Sequence, residues 1–291
     1  MRGRGRAPLP WATPAAPSEP SSPAHVALSA TEREALAGEP FETLSEDQVA
    51  QIGAWLAESL PRMPRRRPRR RRPGRCGDRV ALRATLARAR RTEWELVQEE
   101  RVRRPRRLVV LCDVSESVRT QSAVRMHLMR ALVRSSARAE AFAFATRLTR
   151  LTPVLAHSDV DAALERAGET VADRFGGTRI AASVHELLTS RHGASVRGAV
   201  VLVLSDGWDS GSPERIAAVM ARLRRRAHRV VWANPRAAAP GFEPRAAGMA
   251  AALPHCDEFL PAHSFAALRD VIAAVADTAS PGPRGRREAS R

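Results

Sequence analysis

Residues 108–117 read LVVLCDVSES. Leu108, Val109, Val110 and Leu111 form an unbroken apolar, β-preferring run, the pattern of a strand buried on both faces. The run stops abruptly in Asp113-x-Ser115-x-Ser117. In an open parallel sheet, ligands bind outside the C-terminal ends of the strands, where this triplet falls. One carboxylate and two hydroxyls there offer only hard oxygen donors, which suit Mg²⁺ rather than a soft metal. The chain supplies two more such donors further on, Thr178 and Asp206.

Working outward, residues 199–204 (AVVLVL) form a second run of the same kind and end in Ser205-Asp206-Gly207. If the two strands are neighbours, Asp113 and Asp206 share one edge of the sheet. Gly176-Gly177 frees the backbone to bend and bring the Thr178 hydroxyl inward. Between and after these runs the periodicity alternates. Helices are predicted over 118–138, over 158–173 with Ser158 as N-cap, from 180 to 191, from Pro213 to 226, and over 264–278. Strands are predicted over 140–145, 148–153 (a short edge), 229–233 and 256–260. Such alternation predicts an α/β fold, a doubly wound and mostly parallel sheet flanked by helices, over 107–278.

Upstream, 1–25 and 279–291 read as disordered tails rich in Pro, Ser, Ala, Gly and Arg. Residues 26–61 form a small helical segment with two capping-box patterns, Ser29-x-x-Glu32 and Ser45-x-x-Gln48. The second opens a helix with Val49, Ile52, Trp55, Leu56 and Leu60 on one face. Residues 62–106 are an arginine-rich linker and approach. Its first part, 62–75, is expected to stay extended and solvated, because prolines and like charges oppose packing. A helix is expected over 78–91 on the periodicity of Val80, Leu82 and Leu86.

The net charge is +17 and no residue is lysine. Positions 62–107 hold 19 arginines against five acids, so most of the excess sits there. Three scattered cysteines, Cys76, Cys112 and Cys256, match no metal or disulfide spacing and fit a reducing cytoplasmic setting. No apolar run reaches the ~20 residues of a membrane helix. The first residues lack the apolar core of a signal peptide.

The ordered motifs resemble a known family. Asp113-x-Ser115-x-Ser117, a Thr after Gly-Gly, and a Ser-Asp-Gly strand end are similar to the metal-ion-dependent adhesion site of von Willebrand factor A domains. Leu111-Cys-Asp-Val-Ser115, Gly176-Gly-Thr-Arg-Ile180, Ser205-Asp-Gly-Trp-Asp209, Trp232-Ala-Asn-Pro235 and Gly248-Met-Ala-Ala-Ala-Leu-Pro254 resemble the bacterial CoxE-like branch. So does the basic approach, with Asp78-Arg79 and Arg103-Arg-Pro-Arg-Arg107. The resemblance implies Asp113, Ser115, Ser117 and Thr178 as metal ligands, with Asp206 bound directly or through water. It implies no catalysis. It implies a Mg²⁺-dependent protein-binding adaptor that works with a MoxR-type AAA+ ATPase on a client protein, in maturation of metalloenzymes such as carbon monoxide dehydrogenase. The chain departs from the family at Glu116, where glycine is usual, and at Glu99-Glu100, where the family is mostly basic.

Other readings have less behind them. Asp113 and the serines could cap a helix. A phosphatase of the haloacid-dehalogenase kind needs a second Asp at the position of Ser115. Neither serine has a nearby activating base, as a nucleophile requires. The arginine run could bind RNA or DNA, as in a ribonucleoprotein component, but it lacks interleaved aromatics. His255-Cys256-Asp257 reads as a strand end rather than a ligand set. Trp208 is either a rim residue or a packed cover.

Overall fold

The structure, a computed structural model, describes residues 30–58, 60, 65–66, 71–90, 96–101, 104–114, 119–170, 178–244 and 247–277. Both expected tails, the Ser29 cap, Ser115, Glu116, Ser117 and Gly176-Gly177 lie outside the described residues. In chain order the elements are α1 (Ala30–Gly38), α2 (Glu46–Glu58), β1 (Arg65–Arg66), β2 (Arg71–Gly74), α3 (Leu82–Ala89), β3 (Gln98–Arg101), β4 (Arg104–Pro105) and β5 (Leu108–Asp113). They continue with α4 (Arg119–Ser135), β6 (Ala139–Phe144), β7 (Leu148–Arg150), α5 (Thr152–Leu155), α6 (Val160–Thr170), α7 (Ile180–Thr189) and β8 (Val200–Leu204). The last are α8 (Pro213–Arg226), β9 (Arg229–Asn234), α9 (Ala247–Ala252), β10 (Glu258–Pro261) and α10 (Phe265–Ala276).

The predicted sheet is present. Its order is β10-β9-β8-β5-β6-β7, and every pairing is parallel except that of the edge strand β7. β5 is central, with Leu108 opposite Val200 and Cys112 opposite Leu204. Its apolar side chains are fully buried, and each such burial is worth ~1.5–3 kcal/mol. Leu108, Val110 and Cys112 enter one core with α2, α4 and α10. Val109 and Leu111 enter the other with α7, α8 and α9. The chain winds from β5 out through β6 and β7, then returns to the opposite side of β5 at β8. The point where the winding reverses therefore lies between β5 and β8, the crevice where open sheets bind ligands.

The N-terminal helices form a further layer. Ser45 and Gln48 cap α2 reciprocally, with Ser45 N–H to Gln48 Oε1 at 2.8 Å and Gln48 N–H to Ser45 Oγ at 3.3 Å. Ile52 and Leu56 of α2 share the core of α4. Gly53 lets the two helices approach, since a Cβ there would lie 2.3 Å from His127 Nδ1. Trp55 meets Phe265 of α10 edge to face at 5.4 Å.

Some local expectations are corrected. The stretch 62–75 is not wholly solvated: Arg71–Gly74 pairs antiparallel with Gln98–Arg101. Arg71 bonds the Asp78 carboxylate, and Arg72 lies 3.4 Å from Glu100. Acids that depart from a purely basic pattern thus neutralise the arginines and let the ribbon form. The helix expected over 78–91 begins only at Leu82, because Arg79 O accepts from Glu99 N–H and Val80 bridges Gln98. Val80, Leu82 and Leu86 stay exposed rather than forming an inner face. Edge strand β7 stops at Arg150, since Thr152 and Pro153 open α5. The cap of α6 is Asp159 rather than Ser158, its Oδ1 accepting from Ala162 N–H at 3.0 Å. No helix of the described residues is long and apolar enough to cross a membrane.

Candidate metal centre

Asp113 is the last residue of β5 and only 2% exposed. Its Oδ2 accepts from the Ser205 hydroxyl at 2.8 Å. Thr178 Oγ1, also buried, lies 3.4 Å from Asp113 Oδ1. That separation exceeds the ~2.5–3.0 Å of an ordinary O–H···O bond. Carboxylate and hydroxyl oxygens are hard donors, the kind that Mg²⁺ and Ca²⁺ take. The donor set therefore fits a hard divalent cation. Among the described residues, no three His, Cys, Asp or Glu side chains converge as a metal cluster, so any cation here would depend on hydroxyls as well as carboxylates. Ser115 and Ser117 fall outside the described residues.

The loops holding these groups are tied to one another. Arg179 N–H bonds Ala145 O at the end of β6 (2.9 Å), which carries Thr178 over the sheet edge. Ser210 then grips Thr178 O through both its backbone N–H and its hydroxyl, each at 3.1 Å. Asp209 Oδ1 accepts from Ile180 N–H at 3.0 Å and caps α7 from another loop. After β8, Ser205 Oγ also accepts from Gly207 N–H (3.1 Å), and Asp206 Oδ1 accepts from Trp208 N–H (3.1 Å). Gly207 has φ 85°, and a Cβ there would sit 2.2 Å from Met249 Cε, so this turn requires glycine.

Three residues hold the site in ways that sequence patterning did not assign. Ser205 bonds Asp113 directly. Trp232 Nε1–H bonds Ser205 O at 2.9 Å, and Asn234 Nδ2–H bonds Asp206 O at 3.1 Å. All three are fully buried. Trp232 and Asn234 belong to a recognised motif, yet only the pairing of β9 with β8 gives them a role. On the other face, Arg125 Nη1 donates to Asp113 O at 2.9 Å. Trp208 is 63% exposed, which makes it a rim residue rather than a cover. His255-Cys256-Asp257 is a strand-end structure: Asp257 accepts from Arg224 at 2.6 Å and from Val230 N–H at 2.8 Å.

Burial also settles the cysteines beside these elements. Burial, with Asp113 adding and Arg125 opposing, pushes the Cys112 thiol up to about 12. Burial, with Asp257 adding and Arg224 opposing, pushes Cys256 up to about 12 as well. Neither is a thiolate nucleophile or soft ligand near neutral pH.

Fold and site together define a doubly wound α/β domain with a buried oxygen-donor cluster at its switch point. Residues 52–268 match the family described as VWA domain containing CoxE-like protein, and the chain belongs to that family. Among solved structures, a von Willebrand factor type A protein from Catenulispora acidiphila is 14% identical over 62% of this chain and 44% of its own, with a TM-score of 0.41. Proximal thread matrix protein 1 from the mussel byssus is 16% identical over 60% of this chain and 47% of its own, with a TM-score of 0.40. That mussel protein has also been solved with a zinc-occupied MIDAS motif. The Deinococcus radiodurans Ro protein is 19% identical over 59% of this chain and 34% of its own, at a TM-score of 0.39. The chain spans under half the length of each. No curated protein matches it.

Proposed function

We propose that the chain is a non-enzymatic adaptor that grips a partner protein through a divalent cation, Mg²⁺ foremost. Asp113, Ser115, Ser117, Thr178 and Asp206 would hold the ion, Asp206 directly or through water. The observation that carries this reading is the buried Asp113 carboxylate, set between the Ser205 and Thr178 hydroxyls at the switch point of the sheet. When bound, the cation supplies an electrophilic position that an acidic side chain of a partner can fill. The chain's own part is positional. Ser205 and Arg125 fix Asp113 from two sides, and the clamp from Ser210 fixes Thr178. Trp208 stands at the exposed rim, a residue type enriched where partners dock. The partners we assign are a MoxR-type AAA+ ATPase and a client in metalloenzyme maturation such as carbon monoxide dehydrogenase, in the cytoplasm.

Binding to RNA or DNA through the arginine-rich segment has less support, because Arg71 and Arg72 are engaged by Asp78, Glu99 and Glu100. The test is co-purification with the AAA+ ATPase in Mg²⁺ and in EDTA, for the native chain and for Asp113→Ala. The complex should be lost in EDTA and in the variant. A complex indifferent to both would overturn the reading, and one sensitive only to salt would favour nucleic acid. Glu116→Gly should leave binding unchanged. A tenfold gain, equivalent to ~1.4 kcal/mol, would mean that Glu116 occupies the partner's position.

A further inference from the structure

The described residues expose six large apolar side chains, and four of them, Val80, Leu82, Leu86 and Leu96, fall within one short stretch, at 41, 69, 53 and 70%. All four belong to a small module made of the β2–β3 ribbon and α3. Ala81 N–H bonds Val97 O at 2.7 Å, and Val97 N–H bonds Thr85 Oγ1 at 3.0 Å, so the segment carrying Leu96 lies against α3. Val80 bridges Gln98 of the same ribbon. Single exposed leucines are ordinary, but several gathered in one module mark an interaction surface.

The burial of α3 orients that surface. Thr85 is buried, Ala84 and Ala89 are half-buried, and Leu82, Arg83, Leu86 and Arg90 are exposed. At ~100° per residue, the crest of the helix opposite its buried edge falls on Arg83 and Arg90. Leu82 and Leu86, one turn apart, form a stripe along one flank of that crest. Among the described residues, Arg79, Arg83 and Arg90 form no ion pair or side-chain hydrogen bond. The acids of the ribbon are already engaged, Asp78 and Glu99 by Arg71 and Glu100 by Arg72. The outward face of α3 is therefore an apolar stripe beside a row of unpaired cations.

Those two features select the occupant. A phosphate backbone would satisfy the arginines and leave the leucines in water. A flat anionic membrane would meet the arginine crest first and stand off from the leucine flank. A helix can lie along the flank, with apolar side chains at i and i+3 or i+4 on Leu82 and Leu86 and acids beside them on Arg83 and Arg90. We propose that α3 docks an acidic amphipathic helix of a partner protein. The leucines supply the buried contact, and the arginines set the sign and direction of the helix that fits. The surface holds none of the metal-centre residues, so it acts without the cation and goes beyond the adaptor reading.

The probe is a fluorescein-labelled (Leu-Glu-Glu-Leu-Ala-Glu-Ala)₃ peptide, whose leucines share one helical face, followed by anisotropy on the full chain in EDTA. Its comparator has the same composition with the leucines spread round the helix. The native chain should bind the amphipathic peptide at least tenfold more tightly. Leu82→Ser/Leu86→Ser should abolish that preference, and Arg83→Gln/Arg90→Gln should weaken the amphipathic peptide severalfold, with thermal melts confirming folding. Sedimentation with equimolar phosphatidylcholine and phosphatidylglycerol vesicles should change less than twofold in the leucine variant. Equal binding of the two peptides by the native chain would mean that charge alone acts, and would overturn the proposal. So would amphipathic binding that the leucine variant leaves intact, or a native chain that does not bind the peptide. Vesicle binding lost tenfold in the leucine variant would assign the face to a membrane instead. With EDTA present throughout, each result stands apart from the cation reading.

Discussion

Ser205→Ala tests how the centre is held. Ser205 and Asp113 are both buried, and the hydroxyl does two things: it donates to Asp113 Oδ2 at 2.8 Å and accepts from Gly207 N–H at 3.1 Å. Removing a hydrogen bond to a buried charge costs ~1.5–3 kcal/mol, and leaving a buried N–H without its acceptor about 1 kcal/mol more. A total of ~2–4 kcal/mol is expected in EDTA. At ~2–4 °C per kcal/mol for a domain of this size, the melting midpoint should fall by roughly 5–15 °C. Guanidinium melts give the free energy directly, with an unchanged m-value expected. Asp113→Asn should absorb part of the loss, because the partner group would then be neutral. The double-mutant cycle should show a coupling of ~1.5 kcal/mol or more. A Ser205→Ala loss under about 0.5 kcal/mol, typical of an unremarkable surface change, would refute the argument that this hydroxyl sustains a buried carboxylate.

Gly53→Ala should cost ~1–3 kcal/mol, because its Cβ would lie 2.3 Å from His127 Nδ1; His127→Ala in the same chain should recover most of it, as read by urea melts. Burial first, and the Arg130 guanidinium after it, hold the His127 imidazole below its ordinary value, with Asp161 opposing. The unfolded chain therefore takes up this proton first as pH falls. The His127 contribution is complete above its unfolded pKa of ~6.5 and declines below it until the folded group titrates. His127→Gln should accordingly flatten the stability profile just below about pH 6.5; an unchanged profile would sink the assignment. Of the three cysteines, only Cys76 is exposed. Thiol titration at pH 8 should therefore count one fast-reacting group in the native protein and three in denaturant.

The sequence by itself determined the frame. The apolar runs at 108–112 and 199–204, bounded by polar turn residues and set among alternating helical patterns, give buried parallel strands, and the structure pairs them as β5 and β8. That Asp113 ends β5 and that Asp206 follows the end of β8 was legible, because strand ends are local signals, and so were the Ser45–Gln48 cap and Pro213 at the head of α8. What depends on register across strands was not legible. Ser205 reads as an ordinary turn residue until β8 pairs with β5 and sets its hydroxyl against Asp113. Trp232 and Asn234 lock the β8 loop only because β9 lies beside β8. The arginine-rich stretch looked unpackable on local charge, and acids up to 28 positions away overturned that by pairing with it across a ribbon. Asp159 displaced Ser158 as a cap by the choice of a single turn, which two adjacent capping residues leave open. A cleft between α7 and α8 joins side chains more than 40 positions apart, Arg179 to Arg222. Local periodicity fixes which faces of a helix are buried. Which helices become neighbours is decided by the winding of the sheet, a non-local property that no short window of sequence contains.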